Sequence, residues 1–314
     1  MTGYLLRRIL AVIPVMAVVV TVVFLLIHLI PGDPASAMLG PDATPDQIEA
    51  TRRQFGLDRP LYEQLLNFYG RVLRGDLGHS YFLNRPVTAV LWERAEPTVL
   101  LTVSSLLVAI AIGVPSGIVA GAYPGSAWDR MLMLGALLGV CIPGFWLSLN
   151  FIYLFAVKLA WLPAAGYASI LVDPWAALRF MVLPAASLGF NQSALIARIA
   201  RSCMLEALQQ DYVRTARAKG LREGTVIYLH AFRNALVPVV TVIGITLAIL
   251  IGGAVVTEIV FNIPGLGRLV ISAILRRDYP VVQGVVLVTA AAYVLINLGV
   301  DMLYAFIDPR IRYE

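Results

Sequence analysis

Charge is scarce in this chain: only 14% of its 314 residues are Asp, Glu, Lys or Arg, against 59% hydrophobic. That balance leaves too much apolar surface for one soluble core and implies an integral membrane protein. Cysteine is nearly absent, with Cys141 in an apolar run and Cys203 in a basic stretch. No His or Cys is spaced to make a metal site with either, so neither a metal centre nor a disulfide framework is expected. Lysine is confined to Lys158 and Lys219, outside any Gly-x-x-x-x-Gly-Lys-Ser/Thr loop that would cradle phosphates. The chain is therefore not expected to hydrolyse nucleotide. No internal repeat and no lone charge at a clear midplane is visible, and these are the usual pointers to a self-sufficient secondary transporter. Asp76, His79 and Ser80 share a turn-rich stretch, but their spacing supplies neither a positioned nucleophile nor oxyanion donors. The formal charge of +5 sits in clusters beside apolar runs, which reads as an orientation signal rather than a nucleic-acid surface.

What the chain has is apolar runs, at residues 9–30, 98–122, 131–157, 180–197, 236–261 and 281–307, near the roughly 20 residues that a crossing needs. The first follows Arg7 and Arg8, has no cleavage site after it and leaves by the turn Leu29-Ile-Pro-Gly-Asp-Pro34, so it reads as an uncleaved span. Small residues in the second and third let helices pack closely. Ile142-Pro-Gly144 interrupts the third, as a gate or as a packed kink. The fourth is the least apolar: Ser187, Asn191, Gln192 and Ser193 must face protein or water, lining a pathway or bonding to neighbouring helices. Asn297 and Asp301 share one face of the sixth span, and Glu258 is expected near a membrane face. Residues 31–97 carry helix signals instead. Thr44 caps, Pro45 opens and Gln47 completes a capping box before closure at Gly56. A second helix follows from Pro60 to Gly75 with Tyr62, Leu65, Leu66, Tyr69 and Leu73 as an apolar stripe. Residues 198–233 hold seven Lys or Arg against three acids, with Arg7 and Arg8 before the first span and Arg310 and Arg312 after the last. That bias places both termini and this loop in the cytoplasm and residues 31–97 outside.

Within the basic loop runs Asp211-Tyr-Val-Arg-Thr-Ala-Arg-Ala-Lys-Gly220, followed by His230-Ala-Phe-Arg-Asn-Ala-Leu-Val-Pro238. Asp211 can cap a two-turn helix that Gly220 closes in the left-handed region. Tyr212, Thr215, Ala216 and Lys219 share a face, and the small Ala216 and Ala218 permit close approach by a partner. A plain connector whose Arg214, Arg217, Lys219 and Arg222 only hold it in the cytoplasm fits the spacing as well. The stretch resembles the coupling loop of ABC-importer permeases, in the form used by the dipeptide, oligopeptide and nickel family. The general pattern has Glu-Ala-Ala, three residues, then Gly; here Arg214, Thr215 and Ala216 take those positions, a departure that favours the peptide-type branch.

The resemblance extends along the chain, through Leu29-Ile-Pro-Gly-Asp-Pro34, Phe55-Gly-Leu-Asp-Arg-Pro-Leu61, Gly75-Asp-Leu-Gly78 with Ser80, Pro264-Gly-Leu-Gly-Arg268 and Asp278-Tyr-Pro280. These are similar to the B-type permease subunit of that family. The resemblance implies an all-α polytopic protein of six transmembrane helices with the type I importer permease fold. Residues 1–30 would be the first span, 31–97 an external helical segment, and 98–314 the core with its coupling loop at 198–235. It implies a C-type permease partner, two cytoplasmic ATPase subunits that bind the ATP and Mg, an external solute-binding protein, and a multi-pass location in a bacterial inner membrane. Asp211, Tyr212, Arg214, Thr215, Ala216, Arg217, Lys219 and Gly220 would meet the ATPase. The binding protein would meet a tight bend at Pro264, Gly265, Leu266, Gly267 and Arg268, with Leu266 at its tip, together with Arg276 and Arg277. Di- or oligopeptides are the expected substrates, with glutathione and nickel chelates as alternatives within the family. A carrier or channel acting alone is the competing class, and it has no need of a docking helix.

Overall fold

The computed structural model describes residues 2–29, 34–39, 43–55 and 57–307. In chain order its helices are α1 (Thr2–Leu29), α2 (Pro34–Leu39), α3 (Pro45–Phe55), α4 (Leu61–Leu73), α5 (Val87–Ala122), α6 (Ala127–Cys141) and α7 (Gly144–Phe151), the last prolonged by π-helical Ile152–Lys158. Then come α8 (Pro174–Leu208), α9 (Asp211–Ala218) and α10 (Glu223–Thr225), which runs through π-helical Val226–Ala231 into α11 (Phe232–Val260), followed by α12 (Leu266–Leu275) and α13 (Tyr279–Ile307). No strand forms among the described residues, and His79 and Pro86 make one isolated bridge. Residues 30–33 of the first span's exit, Gly56, Arg310 and Arg312 lie outside the described residues.

Among the described residues, five helices are long and apolar enough to cross a membrane, and α6 and α7, bent by 104°, make a sixth span if they are counted together. The third span is thus broken rather than kinked. Pro143 disfavours helical backbone at the residue before it, and Ile142 is extended, with φ −77° and ψ 122°. Other helices outrun their apolar cores. The loop expected from residue 198 begins instead as the last turns of α8, which carry Cys203. That helix starts where Asp173 accepts a hydrogen bond from the Ala176 amide at 2.9 Å and Pro174 supplies the first helical residue.

The described chain divides into two compact units, one of Pro97–Pro264 with the described residues from Leu295 on, the other of Thr2–Glu96 with Gly265–Val294. In the first, α5 and α8 touch backbone to backbone. Gly113, Gly117 and Gly121 recur at four-residue steps, so they form one face of α5. A Cβ at Gly117 would lie 2.4 Å from Ala200 Cβ, and one at Gly113 would lie 2.7 Å from the Ser193 carbonyl. Gly189 of α8 answers from the other side, 2.6 Å from the Ser105 carbonyl.

Polar groups of α8 hold the broken span. Asn191 Nδ2 donates to the Gly139 carbonyl at 2.7 Å and to the Ile142 carbonyl at 3.2 Å, satisfying groups that the end of α6 leaves without helical partners. Ser148 donates to the Ser187 hydroxyl at 3.1 Å, and Ser187 donates to the Pro184 carbonyl. Ser187 and Asn191 thus both bond to the neighbouring broken span. Gln192 and Asn297 are half-buried. Glu258, in the last turn of α11, is fully buried within protein and accepts a hydrogen bond from Thr98 at 2.6 Å.

At the start of α6, Asp129 binds the Arg201 guanidinium of α8 through Nε at 2.6 Å and Nη2 at 2.9 Å, and accepts from the Gly125 amide at 2.9 Å. Removing the carboxylate strands three N–H donors at once, two of Arg201 and the Gly125 amide. Breaking a buried pair costs about 3–5 kcal/mol; Arg201 keeps 31% of its side chain exposed, so solvent screens part of that. Asp129→Ala is expected to lower stability by about 2 kcal/mol, and the Asp129→Ala/Arg201→Ala double variant by less than the sum of the singles. Thermal melts of the three purified variants check this, and additive losses would deny the coupling.

In the second unit α4 runs antiparallel to α1. Gln64 approaches His28, Phe68 stacks 5.8 Å from Phe24, and the Tyr69 hydroxyl donates to the Ala17 carbonyl at 2.6 Å while meeting Thr21 Oγ1 at 2.7 Å. Ala17 and Thr21 belong to the apolar Arg8–Leu26 stretch, so part of the segment expected wholly outside lies beside a candidate span. The expected stripe divides accordingly. Tyr69 packs with Phe68 and Val72 on α1, whereas Tyr62, Leu66 and Leu73 are exposed. The capping box is present, with the Gln47 amide donating to Thr44 Oγ1 and the Thr44 amide donating to Gln47 Oε1.

Candidate coupling surface

Helix α9 begins one residue earlier than expected, at Asp211 itself rather than after it. Gln210 is the N-cap without a side-chain hydrogen bond, and Asp211 is the first helical residue, placing a carboxylate in the first turn where the helix dipole favours it. At the other end Gly220 has φ +75°, the left-handed residue the sequence calls for. The eight-residue helix is amphipathic. Val213 and Ala216, three apart on one face, are buried against Val226, with Leu208 beside them.

This corrects the expectation for Ala216. Rather than lying on a face open to a partner, Ala216 at 6% exposure seats α9 on its own chain. Its neighbours in sequence turn outward: Tyr212, Arg214, Thr215, Arg217 and Lys219 are exposed. Arg217 forms a two-pronged ion pair with Glu223, at 3.2 Å from Nε and 2.6 Å from Nη2, tying α9 to the start of α10. That pairing raises the Arg217 pKa above its already high ordinary value, so the group is cationic throughout the working pH range. Arg214 lies 3.7 Å from Asp211, both exposed. The exposed face therefore offers an aromatic ring, a hydroxyl and cations on a helix of fixed position.

The segment after α11 also differs from its expected form. Leu266 is not the tip of a bend but the first residue of α12, 6% exposed in a core with Val87, Val90, Leu91 and Leu269. The moderately apolar run after Gly265 closes into helix because its face Leu266, Leu269, Ala273 has somewhere to bury. Gly265 and Gly267 are buried with it and Pro264 is half-buried, whereas Arg268, Arg276 and Arg277 are exposed. Arg277 ends α12 with φ 56°.

Asp278 then anchors a contact that no local pattern announces. Its carboxylate accepts from the Ser80 hydroxyl and from the Tyr81 and Phe82 amides at 3.2 and 3.4 Å. Burial, with Asp278 close by, pushes the Tyr81 phenol up to about 12. Asp76, Ser80 and His79 thus do not assemble a triad: Asp76 instead accepts from the Gly78 amide at 2.8 Å and from Arg71. The Gly78 amide is the main reason its carboxyl lies below the usual range, with Arg71 assisting.

Long apolar helices and one broken span are the features of a multi-pass membrane protein, and a short amphipathic helix with an exposed face follows α8. The fold is that of importer permeases. It superposes with a TM-score of 0.59 on a chain of the MetNI methionine ABC transporter in an inward-facing conformation, at 19% identity, covering 70% of this chain and 96% of that one. An amino acid ABC transporter crystallised with histidines gives 0.51 at 15% identity over 71% and 95%. The chain belongs to the family described as binding-protein-dependent transport system inner membrane component, whose model matches residues 113–313, with the family's N-terminal model matching residues 1–102. It is 45% identical, over the full length of both chains, to a protein of Brucella abortus (strain 2308) named as a peptide transport system permease. It is 41% identical, again over both full lengths, to the glutathione transport system permease protein GsiC of Escherichia coli (strain K12). The chain is thus the permease component of an ABC importer and not its catalytic subunit.

Proposed function

We propose that this permease forms one half of the transmembrane path of a peptide importer, beside a C-type permease subunit, with two ATPase subunits holding ATP and Mg below and a solute-binding protein above. One observation carries the coupling part of this reading: α9 is seated by Val213 and Ala216 and leaves Tyr212, Arg214, Thr215 and Lys219 exposed, with Arg217, also exposed, tied to Glu223. A helix held from beneath and polar above suits a push or pull from a partner. Asp211 and Gly220 fix its two ends. Peptides as substrates rest on the names of full-length relatives, which include both peptide and glutathione permeases. Glutathione is itself a small peptide, so the two names point to one chemical class.

Orientation follows from charge, with the termini and residues 198–235 in the cytoplasm and residues 31–97 on the outer side, part of α4 lying beside the first span. A cysteine placed at Asp46, exposed on α3, should be labelled by an impermeant maleimide from the periplasmic side only. Labelling from the cytoplasmic side alone reverses the topology and removes the coupling argument. The binding protein would meet the exposed Arg268, Arg276 and Arg277, whose charges add association rate more than affinity and make docking salt-sensitive. The buried Leu266 takes no part in that contact. The test of the whole reading is reconstitution: the chain, co-expressed with its neighbouring transporter genes, should purify with ATPase subunits and drive ATP-dependent peptide uptake into vesicles. Uptake by this chain alone, driven by an ion gradient, would refute it.

A further inference from the structure

Helix α4 carries more carbon than its seat on α1 covers. Tyr62, Leu66 and Leu73 lie along one face and are exposed, Leu73 to 84%. The register against α1 sets the depth of this strip. Gln64 stands beside His28, Phe68 beside Phe24, and Val72 packs into the cluster of Val20, Val23 and Leu287, so α4 descends along α1 from its C-terminal end. Val20 lies six residues inside Leu26, where the apolar stretch Arg8–Leu26 ends, a depth of about 9 Å by helix rise. Over the same levels α1 exposes carbon of its own, at Val18, Val22 and Leu25.

We propose that α4 is a half-inserted helix whose strip of Tyr62, Leu66 and Leu73 lies against lipid acyl chains, in the outer leaflet on the orientation read from charge above. A solute-binding protein sits above the headgroups and does not reach Leu73 at the level of Val20. The strip is graded as a membrane requires, with Tyr62 at its shallow end, where an amphipathic ring suits the headgroups, and leucines below. Backbone at that depth must be paired, and the last carbonyls of α4 are: the Gly75 amide donates to Val72 at 3.0 Å and the Asp76 amide to Arg71 at 2.9 Å. Charge is kept off the strip. Glu63, Asn67 and Arg71 recur at four-residue steps on another face, where the exposed Asn67 meets water. Arg71 reaches Asp76 at 3.1 Å, and its guanidinium lies against Gly78, which abuts Pro280 of α13. Gln283, three residues deeper on α13, donates to the Val23 carbonyl at 3.1 Å, so Pro280 stands about level with Leu26. The Arg71 charge thus snorkels to the end of the span. Arg74 and Asp76, in the turn that follows, halt the insertion, because ionised groups cost more the deeper they go.

Paramagnetic resonance on the whole importer complex in nanodiscs tests this. A nitroxide is placed on Tyr62→Cys, Leu66→Cys, Asn67→Cys or Leu73→Cys, each in a background of Cys141→Ala and Cys203→Ala. All four labelled positions are exposed, so the label displaces no core contact. Oxygen dissolves among acyl chains, whereas a nickel–EDDA complex stays in water. The ratio of oxygen to nickel collisions should be at least about tenfold higher at Leu66 and Leu73 than at Asn67, since a polar complex enters hydrocarbon only at a penalty. It should also rise from Tyr62 through Leu66 to Leu73. Nickel collisions at Leu73 equal to those at Asn67 would put the strip in water and overturn the proposal. Exclusion of both reagents from Leu66 and Leu73 would overturn it too, because protein rather than lipid would then cover the strip. The readout is blind to substrate and to the direction in which the chain faces. An inverted chain would move α4 to the inner leaflet with the same ratios, so the Asp46 labelling and the uptake experiment report those readings separately.

Discussion

Gly117→Ala is expected to destabilise this protein while Gly135→Ala stabilises it slightly, although both replace a helical glycine by the same residue. In an open helix position alanine is preferred by roughly 0.5–1 kcal/mol, because glycine loses more backbone freedom on folding. Gly135 of α6 meets that condition, since a Cβ there would touch nothing within 4 Å. At Gly117 the added atom would lie 2.4 Å from Ala200 Cβ, 2.6 Å from the Ala197 carbonyl oxygen and 3.0 Å from the Arg201 amide. None of these is the end of a flexible side chain that could swing aside. The helices must move apart instead, which opens the contacts of Gly113 and Gly121 on the same face. Overpacking of a tight core costs typically about 1–3 kcal/mol. With a backbone obstacle the upper end is expected for alanine, and Gly117→Val should leave little folded protein in the membrane. Thermal melts and size-exclusion profiles of the detergent-solubilised variants decide it. A Gly117→Ala melting point equal to that of Gly135→Ala would show that α5 and α8 do not pack as closely as described.

Helix class and approximate spans were legible because a membrane crossing leaves a long apolar signature that needs no partner. The break in the third span was legible as Ile142-Pro-Gly144 but not as a turn of 104°, since the angle depends on Asn191 of α8 bonding to carbonyls at residues 139 and 142. The same holds for polar residues in spans. Composition said that Ser187 and Asn191 must meet something; only packing says that it is another helix. The apolar residue at the start of α12 misled for a different reason. Pro264-Gly265 with Gly267 signals a turn, and the turn residues conceal that Leu266, Leu269 and Ala273 form a helical face with a core to fill. Ser80 and Asp278 stand 198 residues apart, so no periodicity could pair them. For α9 the ends and length were legible from Asp211 and Gly220, but which face looks outward was not. That depends on Val226, which lies beyond the turn that Gly220 makes.

The orientation of α9 carries the strongest functional consequence: Val213→Asp and Ala216→Glu should each abolish association with the ATPase subunits, although neither side chain faces the partner. Val213 is fully buried and Ala216 nearly so. Burying one valine side chain stabilises by roughly 1.5–3 kcal/mol, and eight residues of isolated helix add little of their own in water. A carboxylate forced into that seat loses its hydration without gaining a partner, which exceeds what the seat supplies. The helix therefore leaves Val226 and Leu208 while the spans remain folded. Trypsin reports this directly, because Arg214 and Arg217 on α9, and Lys219 just after it, are cleavage sites that a seated helix protects and a detached one offers. Both variants should be nicked there much faster than wild type at an unchanged global melting temperature. By contrast, joint Arg214→Glu and Lys219→Glu substitution alters only the exposed face, so it should weaken ATPase association while cleavage at Arg217 stays slow. Normal ATPase association by Val213→Asp protein with accelerated nicking would mean that the partner is gripped elsewhere on the chain. Unaltered nicking in both buried-face variants would mean that Val226 is not what holds the helix.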